Sequence, residues 1–338
     1  MFLKSLFWQV VNNIIKIFLE IFVFDRKIRR ILKGNWAKFY LRKYVDKGCR
    51  MEDTPHPLPS LSTPLTSLPP NGCCGRELSY KKFYTPLPQG ARESAEPHAE
   101  APIIWQYWES PDGSIPPLVQ ACLNSVDKYK GNMKRILLNP QNVSEYVEIP
   151  EIFQKLKEKG IIKTAFYSDI LRTCLLIQNG GIWIDATVLL TEELPQYITN
   201  ADLFVFQNDL KIDLDGLNMA SYFIAAKPEN KILKQTLSAL EYYWKENNFL
   251  INYFTFLHTF TMVTGKNKDI FKKVPFISFL PVQQFQSELL EPFSAERWDM
   301  IKKMSGVHKL THKQSVLTKN KEMNTEGTFY EHVIKEFL

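Results

Sequence analysis

The sequence predicts an α/β protein, a mixed sheet flanked by helices with an amphipathic helical segment before it, on three observations. From Ile103 onward, short apolar runs of strand length alternate with longer segments of helical period. A glycine pair, Gly180-Gly181, divides one such helix from the run Ile182-Trp183-Ile184. A chain of 338 residues that is 45% hydrophobic has ample apolar material for a sizeable core.

Residues 1–24 are apolar but interrupted by Lys16 and Glu20, and their charge-free run from Ser5 to Ile15 is too short for a membrane span of about 18–20 residues. Ser5, Gln9, Asn12, Asn13, Lys16 and Glu20 recur at spacings of three and four, aligning one polar stripe on a helix otherwise built of Phe, Leu, Ile and Val. Such a helix lies in a membrane interface or is buried against a partner, and the basic stretch Arg26 to Lys43 would meet anionic headgroups. No small-residue cleavage site follows, which disfavours a secretory signal. The net charge of +6 is uneven: residues 1–50 hold twelve Lys/Arg against Glu20, Asp25 and Asp46. The aromatics there, Trp36, Phe39, Tyr40 and Tyr44, stand in a helical context that suits lipid better than stacked bases, so no nucleic-acid partner is expected. Residues 1–50 are thus read as a membrane-associating segment. Residues 51–100, rich in Pro, Ser and Thr and without period, read as a disordered linker or insertion. Residues 101–338 make the main domain.

In that domain, Ile103 to Trp108 reads as a buried first strand, followed by a Pro/Gly/Ser loop and a helix from Leu118 to Tyr129, the opening of a nucleotide-binding half. Arg135 to Leu138 is the next strand, and Val143 to Lys159 has helical pattern with a break at Pro150. Thr164 begins a helix on which Asp169 and Arg172 share one face, while Ile170, Leu171, Cys174, Leu175 and Ile177 mostly cover the other. Gly180 and Gly181 end it, since glycine takes a left-handed helix cap without steric cost. Asp185 sits where the next strand runs out, at the end that faces the ligand crevice of α/β sheets. A hard divalent cation carrying a diphosphate needs such an oxygen ligand.

Leu203 to Phe206 and Met219 to Ala226 read as later strands. Asp209, Asp213 and Asp215 between them lack calcium-loop spacing and suit either an acceptor-sugar contact or a solvated loop. His258, on an aromatic helix, reads as a core residue. Near the C-terminus His308, Lys309, His312 and Lys313 form a donor array suited to a diphosphate, and imidazole can ligate a metal beside carboxylate oxygen. No G-x-G-x-x-G follows the first strand, no G-x-x-x-x-G-K-[ST] occurs and no H-E-x-x-H occurs, which disfavours a dehydrogenase, a P-loop kinase and a zinc peptidase. The five cysteines, with only the adjacent Cys73-Cys74 close in sequence, read as reduced thiols.

The pattern Ser168-Asp169-x-x-Arg172, then Gly180-Gly181-Ile182-Trp183-Ile184-Asp185-Ala186-Thr187, resembles the sugar-binding region of DxD-type glycosyltransferases. It is most similar to the bacterial capsular polysaccharide synthesis branch, akin to glycosyltransferase family 32, over roughly residues 101–318. The resemblance implies a GT-A-like fold and a retaining hexosyltransferase that uses a nucleoside diphosphate sugar and Mn²⁺ or Mg²⁺. It implies a lipid-linked or oligosaccharide acceptor and a place at the cytoplasmic face of the bacterial inner membrane. Asp169, Arg172 and Asp185 would be the catalytic set. The donor would be held by these with Trp105, Gln106, Ser168, Gly180, Gly181, His308 and Lys309, Trp105 or Trp108 matching the aromatic that stacks on the base. Asp185, Thr187 and His308 would hold the metal. Thr187 stands where the relatives have a second Asp, a neutral and weaker metal ligand. The competing reading is a non-catalytic, membrane-associated subunit of a polysaccharide assembly complex that has lost the metal.

Overall fold

A computed structural model describes residues 2–22, 26–50, 101–208, 217–317 and 324–338. The tract 51–100 and the loop with Asp209, Asp213 and Asp215 lie outside the described residues. Strand β1 (Ile104–Tyr107) pairs in parallel with β2 (Arg135–Leu138) on one side and with β3 (Gly181–Ile184) on the other. Strand β3 leads on to β4 (Val188–Leu190), which leaves the sheet. The sheet continues with β6 (Met219–Ala226), antiparallel to β3, and is closed by β5 (Leu203–Gln207), antiparallel to β6. The mixed order is therefore β2-β1-β3-β6-β5, while β4 pairs antiparallel with β7 (Val307–Lys309) in a separate ladder. The expected mixed sheet flanked by helices is what forms.

Side chains alternate along each strand, so both faces of the sheet are buried and the strands read as continuous apolar runs. Trp105, Trp183, Val205 and Ile224 enter one core; Ile104, Ile182, Ile184 and Phe204 enter the other. Helix α3 (Pro117–Tyr129) connects β1 to β2. The stretch from Val143 to Lys159, read as one helix with a break, is a single turn and then α4 (Glu151–Glu158). Proline disfavours helical backbone in the residue before it, so the helix restarts only after Pro150. Helix α5 (Thr164–Asn179) returns the chain to β3.

The N-terminal helices pack against the main domain. Helix α2 (Arg26–Arg50) buries Ala37, Tyr40, Leu41, Tyr44 and Val45 in the same core as Trp105 and Trp183. Tyr40 donates to Asn247 Oδ1 at 2.8 Å, and Asn247 Nδ2 donates to the Tyr44 hydroxyl at 2.8 Å. Lys43 and Lys47 bracket Glu246 at 3.0 and 2.8 Å, so these two cations are engaged by the protein itself. Gly48 permits the crossing with the helix Lys231–Glu246: a Cβ there would lie 2.7 Å from the Ala239 nitrogen. The helical spacing of Trp36, Tyr40 and Tyr44 thus makes α2 a core helix.

Helix α1 (Phe2–Phe22) turns part of its polar stripe inward. Ser5 Oγ donates to Asn248 Oδ1 at 2.9 Å, Trp36 Nε1 donates to Asn12 Oδ1 at 3.0 Å, and both Ser5 and Asn12 are buried. Leu6, Phe7, Val10, Ile14, Ile17 and Phe18 are left exposed on the outer side. No helix among the described residues is long and apolar enough to cross a membrane.

Candidate active site

The site is assembled by α5 and the carboxyl end of β3. Asp185 lies two residues past Trp183, so both point toward α5, and the Asp185 N–H donates to Tyr222 O at 2.9 Å. On α5, Ser168, Asp169 and Arg172 occupy one face, as their spacing requires.

Arg172 is the hub. It is 4% exposed, and its Nη1 donates to Asp169 Oδ1 at 2.7 Å and to Ser221 O at 2.8 Å. Its Nη2 donates to Ser168 Oγ at 3.0 Å and to Asp185 Oδ1 at 3.2 Å, so all four Nη protons are committed. The guanidinium carbon stands 5.0 Å from the Trp183 ring centroid, and Trp183 Nε1 donates to Asp185 Oδ1 at 2.8 Å. Lys309 closes the far side: its Nζ donates to Asp185 Oδ2 at 3.0 Å and to Thr187 Oγ1 at 2.5 Å. The β4–β7 ladder fixes that approach, and Leu310 N–H donates to Thr187 O at 2.9 Å directly beside it.

The two carboxylates differ in charge state because their neighbours differ. Burial pushes the Asp169 carboxyl up to about 6; Arg172 opposes this and the Asp185 charge adds to it. Burial acts on Asp185 in the same sense, but Lys309, Arg172 and the Trp183 N–H outweigh it and hold that carboxyl at about 2. Asp185 is a fixed anion, and Asp169 is one that a modest fall in pH neutralises.

Ser168, Asp169, Arg172, Asp185, Thr187 and Lys309 therefore come together, and five other expected site residues do not. His308 is fully buried, its Nε2 3.2 Å from Thr191 Oγ1 and its ring 5.5 Å from that of Phe285; burial lowers its pKa to about 3. Adjacent residues of a strand face opposite ways, so with Lys309 directed at Asp185, His308 is turned into the core, away from any metal or diphosphate there. Gly180 and Gly181 lie at the opposite end of β3 from Asp185 and shape the turn. At Gly181 φ is +99°, and a Cβ would collide with Ile103 O and come within 2.9 Å of Trp105 Nε1. Trp105 has no exposed surface and donates its Nε1 to Gly180 O at 2.8 Å, which leaves no face for a base. Gln106 is equally buried, on the side of the sheet away from Asp185.

Three groups were missed or left open. Trp183, given no role from the sequence, supplies a hydrogen bond to Asp185; the signal was its position two residues earlier on the strand. Trp108, half-buried at the site end of β1, packs edge-on against His312 at 5.1 Å. The Tyr222 ring lies 5.7 Å from Lys309 Nζ.

A divalent cation does not fit the residues present. Beside substrate phosphate and water such a cation takes only one or two protein oxygens, and here the two on offer, from Asp185 and Thr187, are already directed at an ammonium. Among the described residues, no group of three or more His, Cys, Asp or Glu comes together to hold a metal.

Residues 78–333 match the model of the capsular polysaccharide synthesis protein family, and the chain belongs to that family. The match begins inside the tract 51–100. No curated protein matches the chain. Among solved structures it is similar to the PaToxG glycosyltransferase, with 13% identity over 82% of this chain and 95% of that one, at a TM-score of 0.38. It is also similar to the bifunctional glycosyltransferase WbbM, with 12% identity over 72% of this chain, about half (51%) of that one and a TM-score of 0.35. The glycosyltransferase GlyE of Streptococcus pneumoniae TIGR4 shows 11% identity over 61% of each chain and a TM-score of 0.31. Likeness at these TM-scores carries no weight for function.

Proposed function

We propose that the protein is a glycosyltransferase that moves a sugar from a nucleoside diphosphate sugar to a glycan acceptor in capsule or related surface polysaccharide synthesis. The observation that supports this best is the network joining Asp169, Arg172, Asp185 and Lys309. Asp169 orients hydroxyls of the donor sugar. Arg172, with its Nη protons committed, positions the two carboxylates and does not itself grip the substrate. Lys309 faces the charge that develops on the leaving diphosphate, an interaction stronger in the transition state than in the ground state. The half-buried Trp108 is the aromatic available for the base. Retention of anomeric configuration rests on the resemblance alone, and none of these groups is assigned as a general base.

Peripheral contact with the cytoplasmic face of a bacterial inner membrane belongs to the same reading. It is supported by the exposed apolar face of α1, and it would bring the site to a lipid-linked or oligosaccharide acceptor.

The experiment is donor turnover by the full-length chain over a panel of nucleoside diphosphate sugars, with Asp185→Asn as the comparison. The variant should lose about 10²-fold or more in rate. A protein that turns over no donor returns the reading to a non-catalytic subunit, and unchanged turnover in the variant removes Asp185 from the site.

A further inference from the structure

In the motif Asp185-Ala186-Thr187, the two positions that the resemblance gave to a divalent metal both direct oxygens at one atom, Lys309 Nζ, at 3.0 and 2.5 Å. We infer that the Lys309 ammonium takes the place of the divalent cation, so that this protein binds the diphosphate of its donor without metal. The inference rests on the glycosyltransferase reading and names the cation that serves it.

Charge supports the substitution. Two carboxylates suit a divalent ion; here the second is a neutral threonine, and one carboxylate suits one ammonium. Asp169 is not a free substitute, because its Oδ1 is 2.7 Å from Arg172 Nη1. Across the network, Asp169 and Asp185 are balanced by Arg172 and Lys309, so a further divalent ion in the same oxygen pocket would face the ammonium at close range.

Placement supports it as well. Lys309 is held on the β4–β7 ladder opposite Val188, one residue from Thr187, and Leu310 N–H donates to Thr187 O. Its side chain is 23% exposed, and two of its three N–H donors are used, which leaves one for a phosphate oxygen. His308 cannot complete a metal set because the same strand turns it into the core.

The test measures metal directly and is independent of turnover. Free Mn²⁺ is followed by electron paramagnetic resonance as the full-length protein is added, for the wild type, Lys309→Ala, the double variant Lys309→Ala with Thr187→Asp, and Asp185→Asn. Thermal melts show that each variant is folded. The wild type should leave the Mn²⁺ signal unchanged, and the double variant, which restores two carboxylates and removes the ammonium, should take Mn²⁺ up. Uptake by the wild type that Asp185→Asn abolishes overturns the inference. So does a folded double variant that takes up none, since the pocket is then no cation site.

Calorimetry with UDP, GDP, ADP and CDP in EDTA and in Mn²⁺ gives a second readout. A diphosphate that binds the wild type should change affinity by less than about tenfold between the two conditions. Lys309→Ala should lose that binding in EDTA, and the double variant Lys309→Ala with Thr187→Asp should regain it with Mn²⁺. Binding to the wild type only with Mn²⁺ overturns the inference. If no nucleoside diphosphate binds under any condition, the glycosyltransferase reading fails, and the Mn²⁺ signal still decides which cation occupies the pocket.

Discussion

Replacing Arg172 with methionine tests the energetic reading of the network most directly. The side chain is 4% exposed, so the substitution keeps most of the packing against Trp183 while removing four hydrogen bonds. It leaves Asp169 without its ion-pair partner and Asp185 with Lys309 alone. Breaking a buried pair from one side costs about 3–5 kcal/mol, which for a chain of this size lowers the melting temperature by roughly 5 °C.

The pH dependence carries the sharper signature. Asp169 has a folded-state value of about 6 against an ordinary 3.8, so the native state holds its proton more tightly than the unfolded chain does. For such a group, stability is greatest below 3.8 and is lost as pH rises through about 6, by roughly 3 kcal/mol in all. Removing Arg172 raises the Asp169 value further, because the guanidinium was what opposed burial. The loss in Arg172→Met should therefore be large near about pH 7.5 and smaller near about pH 5, where Asp169 in the variant takes a proton. Circular dichroism melts of the full chain at both pH values measure it. Arg297→Met, which breaks a surface pair with Glu288, serves as control and should lower the melting temperature less than Arg172→Met does. A loss in Arg172→Met no larger than in the control, or one that grows toward acid, refutes the account of the site.

Two further outcomes follow from the same structure. If Asp169 acts as an anion on the donor, kcat/KM should fall with unit slope below about pH 6, and Asp169→Asn should lose that acid limb along with most of its rate; an unchanged limb assigns it to another group. Phe7→Asn with Ile14→Asn, both on the exposed face of α1, should abolish co-sedimentation with anionic phospholipid vesicles while leaving the melting temperature within a few degrees. Equal sedimentation of wild type and variant would remove the membrane from the function.

The local sequence determined the elements and part of the site. The period of residues 164–179 put Asp169 and Arg172 on one face of α5, and Gly180 marked its end because its φ of 65° suits glycine. The position of Asp185 past a short apolar run placed it at the carboxyl end of a strand. The strand period also separates His308 from Lys309, because neighbours on a strand cannot both face one ligand. What lay beyond reach were contacts made by pairing. The partner of Lys309 is 124 residues away, and only the antiparallel register of β4 with β7 brings its ammonium to Asp185. The choice between Trp105 and Trp108 depended on which end of β1 stays open, and Ser5 and Asn12 of the α1 polar stripe face inward because Asn248 and Trp36 supply partners there. Periodicity fixes which residues share a face; what covers that face is decided by segments far along the chain, whose approach depends on the packing of the whole core.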